Sequence, residues 1–148
     1  MQIFGKVDER CKPRRGVYMS KLTSSLDREF VVLDSDKNAH IEVANSALYE
    51  RIDKSYGGFK NCELISSYEF DCDWPTWEIH PNGDEVVILL RGKATFILQI
   101  GAEDKSVILQ DEGAYVVVPR NTWHTAKISE KTKLLFITPG EGTEQKDI

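Results

Sequence analysis

Long apolar runs are missing from this 148-residue chain, and none approaches the roughly 18 residues that a bilayer span requires. Asp8, Glu9 and Arg10 break up the region where a secretory h-region would lie, so the expected location is the cytoplasm. Basic charge is short too: the net charge of −5 provides no footprint for nucleic acid or an anionic membrane, which leaves small molecules as the expected partners. Cysteine is scarce, and Cys11, Cys62 and Cys72 are odd in number and follow no C-x-x-C spacing. Reduced thiols are expected, with Cys62 and Cys72 as small buried hydrophobes. No Gly-rich phosphate loop, Ser-His-Asp set or reactive-cysteine setting is visible, and there is no internal repeat. Histidine numbers only three, so the placement of each carries information.

Two of the three fall in the richest segments. In Trp77-Glu78-Ile79-His80-Pro81-Asn82-Gly83-Asp84-Glu85, Asn82-Gly83 is the dipeptide that best announces a two-residue β-hairpin loop. With that loop, His80 stands opposite Glu85, their Cβ atoms roughly 5 Å apart. Side chains alternate along a strand, so Glu78 points the same way as His80 while Trp77 and Ile79 point the other way. Some forty residues on, Gly113 to Val118 form an apolar strand, and the turn Pro119-Arg120-Asn121 leads to His124. Imidazole suits Zn, Cu, Fe and Ni and carboxylate suits Mg, Ca and Mn, so a set of Glu78, His80, Glu85 and His124 is compatible with several divalent metals. The competing reading makes His80 and His124 hydrogen-bonded core residues. His40 has no partner at a comparable spacing and reads as a surface residue.

These two segments resemble the paired motifs of the cupin superfamily. In the first, His80 takes the second histidine, Glu85 the glutamate and Gly92 the closing glycine, while Glu78 replaces the first histidine and Cys72 the opening glycine. In the second, Gly113, Pro119 and His124 are in place, Asn121 replaces a glycine and Ile128 the final asparagine. Asparagine tolerates the left-handed backbone that such a turn requires. Within the superfamily the chain is similar to small stand-alone cupins that carry W-E-x-H-P-x-G-D-E, P-R-x-x-W-H and a closing T-P-G-x-G-T-E, here Thr138 to Glu144.

The resemblance implies an all-β fold, a cupin (RmlC-like) double-stranded β-helix or jelly-roll barrel, holding one divalent ion (Fe, Mn, Ni or Zn) at Glu78, His80, Glu85 and His124. Three roles are open to Glu78: ligand, acceptor for a bound water, or the mark of a lost site. The resemblance also implies a homodimer formed through N-terminal strands, with residues 1 to 35 as candidates.

Length and pattern suit one domain: a lead over residues 1–60, a barrel over 61–140 and a tail over 141–148, the tail loose or packed over a neighbour. The lead should hold strands near Gly16 to Leu22 and Arg28 to Leu33, then a helix over 46–56. Ala44, Leu48, Ile52 and Tyr56 recur every four residues, and this stripe should dock on the barrel exterior. From Asn61 the period becomes two. Strands are expected at Cys62 to Phe70, Thr76 to His80, Glu85 to Leu90, Ala94 to Ile100, Ser106 to Gln110, Ala114 to Val118, Trp123 to Ile128 and Leu134 to Thr138. Tyr68, Phe70 and Trp123 are candidates for the barrel mouth. Two functional classes follow: a metal-dependent enzyme of oxygenase or Lewis-acid type on a small metabolite, or a non-catalytic ligand- or metal-binding sensor.

Overall fold

The structure, a computed structural model, describes residues 23–148. The expected strand at Gly16 to Leu22, and the candidate dimer segment up to residue 22, lie outside the described residues. Eleven strands and one helix follow: β1 (Glu29–Leu33), β2 (Ala39–Val43), α1 (Leu48–Ser55), β3 (Glu63–Phe70), β4 (Thr76–Ile79), β5 (Glu85–Arg91), β6 (Ala94–Ile100), β7 (Glu103–Leu109), β8 (Tyr115–Val118), β9 (His124–Ile128), β10 (Thr132–Thr138) and β11 (Glu144–Asp147). No helix among the described residues is long and apolar enough to cross a membrane.

The strands form two antiparallel sheets, ordered β2-β1-β3-β10-β5-β8 and β11-β4-β9-β6-β7. From β4 onward the chain passes repeatedly from one sheet to the other, with β6 and β7 the one consecutive pair that stays in a single sheet. This alternation is what makes a jelly roll rather than a stack of meanders. Period-two burial follows from it. In β5 and β6 every second residue is buried, so Val87, Leu89, Phe96 and Leu98 meet Phe136 and Trp74 between the sheets. A fully buried ring such as Phe136 contributes roughly 1.5–3 kcal/mol by leaving water.

The Asn82-Gly83 hairpin does not form. β4 pairs with β9 and β11 while β5 pairs with β10 and β8, so Pro81 to Asp84 is a corner between sheets. Tertiary packing overrides the local turn signal. A Cβ at Gly83 would lie 2.6 Å from Pro139 Cβ, so glycine serves close approach here rather than a left-handed turn.

Gly92 carries the next crossing, with φ at +89° and its missing Cβ pointing at Lys131 O, 2.5 Å away. Both backbone strain and a clash with main chain follow from any side chain there. Gly92→Ala should therefore destabilise the fold by about 2–4 kcal/mol, read as a lowered urea midpoint at unchanged m-value. An effect under about 0.5 kcal/mol would show that this corner yields freely.

Three further expectations change. The helical stripe docks on the inner face of the first sheet instead of the barrel exterior: Leu48 and Ile52 pack with Phe30, Val32 and Leu64. Leu64 is the register partner of both Val32 and the buried Thr138, which fixes that face as interior. The tail is ordered, since β11 pairs with β4 along four residues. Cys62 is buried and free as expected, whereas Cys72 is half-buried and disulfide-bonded. Bridging is decided by Cα separation rather than C-x-x-C spacing, and disulfides persist in oxidising compartments, so this bridge stands against the reduced-thiol reading.

Candidate metal centre

The four residues singled out by spacing meet between the two sheets. Glu78 on β4 and His124 on β9 are direct register partners, and His80 follows one step beyond the end of β4. Glu85 opens β5 in the opposite sheet and faces them. Its Oε2 lies 3.1 Å from His124 Nε2 and 3.4 Å from His80 Nε2, and Glu78 Oε2 lies 3.9 Å from His80 Nε2. Glu78, His80 and His124 each offer a ligand atom within 4.8 Å of the others. All four side chains are at most 2% exposed.

Asn121 connects the two segments. It adopts φ of +59°, the left-handed conformation expected of it, and its N–H donates to the carbonyl of His80 at 3.0 Å. The loop that delivers His124 is thereby tied to the strand end that delivers His80.

Each of the four is held by its outer atom. His124 Nδ1 lies 3.1 Å from the carbonyl oxygen of Thr122, which can only accept, so the proton is on Nδ1. His80 Nδ1 lies 2.9 Å from Thr143 Oγ1, whose own hydroxyl donates to Gly140 O at 3.0 Å. Thr143 therefore accepts from His80, and the same tautomer results. In both rings Nδ1 is committed outward and Nε2 is turned toward the centre. Thr138 donates to Glu85 Oε1 at 2.7 Å, and Gln145 donates to Glu78 Oε1 at 2.6 Å. The inner atoms His80 Nε2, Glu85 Oε2 and His124 Nε2 are buried with no hydrogen-bond partner. Their mutual distances are short, but the geometry is not that of aligned hydrogen bonds. Orphaned buried acceptors at one point, each backed by a fixed outer partner, are what a metal ligand set requires. The residues fit a divalent ion.

The carboxylates are poised differently. Burial pushes Glu78 well above the usual carboxylate range, and the facing Glu85 adds to this against the opposing Gln145 hydrogen bond. Burial works on Glu85 in the same direction, yet His80 and His124 outweigh it and hold this carboxyl well below its ordinary value. Two buried carboxylates beside one another do not both ionise without a cation. The structure thus divides the pair into a Glu85 anion and a Glu78 acid.

Tyr68, one of three mouth candidates, reaches this interior, while Phe70 packs into the core and Trp123 lies on the outside under Lys146, 4.3 Å from its ring. The Tyr68 hydroxyl is hydrogen-bonded to that of Tyr49 on α1. Burial pushes both phenols up, and Glu78 lies close enough to both to add to the shift. Both remain neutral, and one of their two protons is spent on the bond between them. Sequence reasoning passed over Tyr49 because it lies one position off the Leu48–Ile52 stripe. The usable signal was a tyrosine on the flank of an amphipathic helix. His40, by contrast, pairs with Asp34 at 2.7 Å, and Arg120 lies in the exposed loop beside Asp84.

No protein-family model matches the sequence, and no curated protein matches it. Solved structures do. A cupin-2 domain containing protein from Shewanella frigidimarina is 22% identical with a TM-score of 0.45, over 52% of this chain and 70% of that one. Hydroquinone 1,2-dioxygenase from a Sphingomonas species is 14% identical with a TM-score of 0.44, over 51% of this chain and 58% of that one. Oxalate decarboxylase from Bacillus subtilis, studied for its Mn(II) centers, is 16% identical with a TM-score of 0.47, over 58% of this chain and 24% of that one. The chain spans less than two thirds of the last two. Strands that alternate between two antiparallel sheets give this chain a jelly-roll fold.

Proposed function

We propose that the protein is a small metal-binding cupin that holds one divalent first-row ion, from among Fe, Mn, Ni and Zn, with Glu78, His80, Glu85 and His124, and acts on a small oxygen-bearing metabolite in the barrel. The observation that carries this is the convergence of buried, unpartnered Nε2 and Oε2 atoms whose outer partners are already fixed. An ion bound there supplies Lewis-acid or dioxygen chemistry. The protein contributes the rest. Thr138 and Gln145 aim the carboxylates, Thr122 and Thr143 set the imidazole tautomers, and the surrounding core excludes water. Glu78 would give up its proton to bind an ion, and of the Tyr49–Tyr68 pair the hydroxyl that accepts from the other keeps its proton for an oxygen of the metabolite.

One observation favours a second reading, ligand or metal binding without turnover: the four side chains are at most 2% exposed to solvent. The same experiment separates the two. Untagged protein from iron-, manganese-, nickel- and zinc-supplemented cultures is assayed for metal beside His80→Ala, and the loaded form is then screened for oxygen uptake and loss of small acids and ketones. Near one equivalent of metal in wild type and under one tenth in the variant is expected. Motif-dependent metal with no turnover would favour the sensor, and equal metal in both proteins would remove the proposal.

A further inference from the structure

We infer that β11 is a strap for the metal centre, closed while the ion is held and opened for the ion to leave or enter. The inference rests on the metal reading above and adds the element through which that centre exchanges its ion. The outer partners of the four side chains divide by place. Gln145 on β11 donates to Glu78, and Thr143, just before β11, accepts from His80. Thr138 at the end of β10 donates to Glu85, and the Thr122 carbonyl ahead of β9 accepts from His124. One pair of partners thus belongs to the body of the barrel: β10 is paired on both sides, and Thr138 and Thr122 are buried. The other pair is carried by β11 and the turn that leads into it.

Polar contacts alone fasten β11. It reads Glu144-Gln145-Lys146-Asp147, so no apolar side chain anchors it, and every side chain but that of Gln145 is exposed. Among the described residues it pairs with β4 alone, at the edge of its sheet. Beyond that ladder and the Gln145–Glu78 bond, Lys146 holds it down. Its ammonium lies 4.3 Å from the Trp123 ring centroid, 5.8 Å from that of Trp77 and 3.4 Å from Gln99 Oε1. An exposed strand without buried apolar contacts is the kind of element that opens locally while the remaining fold stays intact.

The turn before β11 is where such a motion would pivot. Asn82 Nδ2 donates to the Glu141 carbonyl at 2.9 Å, which anchors the chain on the Pro81 to Asp84 corner up to that residue, and Gly142 follows with φ of +69°. Opening beyond Gly142 takes the donor from Glu78 Oε1 and the acceptor from His80 Nδ1 together. Each such outer partner is commonly worth about 10–100-fold in metal affinity. Coupling of this kind is reciprocal: the factor by which the closed strap tightens the ion is the factor by which the ion holds the strap closed. Occupancy of a buried centre is thereby carried to an exposed strand. Lys146 is a positioning residue in this scheme, acting on Glu78 through Gln145.

The probe is Zn(II), which is redox-silent. Amide hydrogen exchange of the full chain is followed by mass spectrometry with the centre stripped and with Zn(II) loaded. Exchange over residues 144–147 should slow at least about 10-fold on loading. β7, the exposed strand at the opposite edge of the same sheet, should exchange equally in both forms. Release of Zn(II) to excess chelator should be about 2–5-fold faster in Lys146→Ala, and near the wild-type rate in Lys146→Arg, which keeps a cation over the rings. A wild type that takes up no Zn(II) would remove the metal reading and the strap with it. Stoichiometric Zn(II) with unchanged exchange over 144–147, equal slowing of β7, or release from Lys146→Ala at the wild-type rate would overturn the strap alone.

Discussion

His124→Ala should leave the protein unable to hold its ion, with affinity reduced more than about 100-fold, while the fold survives. His124 is the hub of the centre: it is the register partner of Glu78, its Nε2 is nearest to Glu85 Oε2, and it is fully buried. Removing it deletes one donor and releases the ring that sets the position of Glu85. The residues behind the ligands should show a smaller, graded effect. Thr138→Val and Gln145→Leu leave all four proposed ligands present but free Glu85 Oε1 and Glu78 Oε1, and such outer partners are commonly worth about 10–100-fold in metal affinity. Trp123→Phe, on the outer surface, should have no effect. Competition titration with a chromophoric chelator measures the series. A flat series, with His124→Ala equal to wild type, would mean that the four side chains do not bind the ion.

The four-residue cluster was legible because spacing is a geometric constraint that survives in one dimension. The buried partners of period-two strands were legible for the same reason, and the strands from β3 to β10 lie close to where alternation places them. What spacing does not carry is which sheet a strand joins. Asn82-Gly83 has the local chemistry of a hairpin, yet the chain turns between sheets there because Pro139 packs against the missing side chain of Gly83. His80 and Glu85 still face one another, by a different route from the one the turn implied.

Strands without an apolar stripe were missed. In β2 the apolar Ile41 and Val43 point outward while Glu42 turns toward α1, where it accepts from Arg51 and Tyr56. The pattern is inverted relative to a core strand. β7 was placed too late because Glu103, Asp104, Lys105 and Ser106 are all exposed, although each pairs with β6. Polar edge strands of this kind avoid pairing with other chains and leave little hydrophobic signal. β11 reads as a charged tail for the same reason, and with it went Gln145, while the neighbouring Thr143 was quoted only as part of a motif. The outer partners of a ligand are recognised by what they touch, and contact is a property of the folded chain.

Stripping the ion should reverse the way stability depends on pH between about pH 5 and 8. Without metal, folding raises Glu78 above its ordinary 4.5. Over that window the folded state keeps a proton that the unfolded chain has released, so stability falls as pH rises through the raised value. Glu85 has the opposite sign: it is held below its ordinary 4.5, so its contribution is present above that value and is lost as pH falls. Asp27, Asp34 and Glu42 are also lowered and add to the acid side alone. The decline on the neutral side therefore belongs to Glu78 and is the diagnostic limb. With Glu78 a ligand, as proposed, protons compete with the metal for its carboxylate, so stability of the loaded protein is expected to rise over the same window. At a free-ion concentration about 1,000 times Kd the gain is about 4 kcal/mol, or roughly 10 °C in Tm for a chain of this size. Scanning calorimetry of chelator-treated and metal-reconstituted protein should give Tm curves that diverge from acid to neutral pH. Glu78→Gln should flatten the metal-free limb without changing its acid side. Parallel curves for the two forms would mean that no ion occupies the centre, and a metal-free curve unaltered by Glu78→Gln would mean that this carboxyl does not hold the proton.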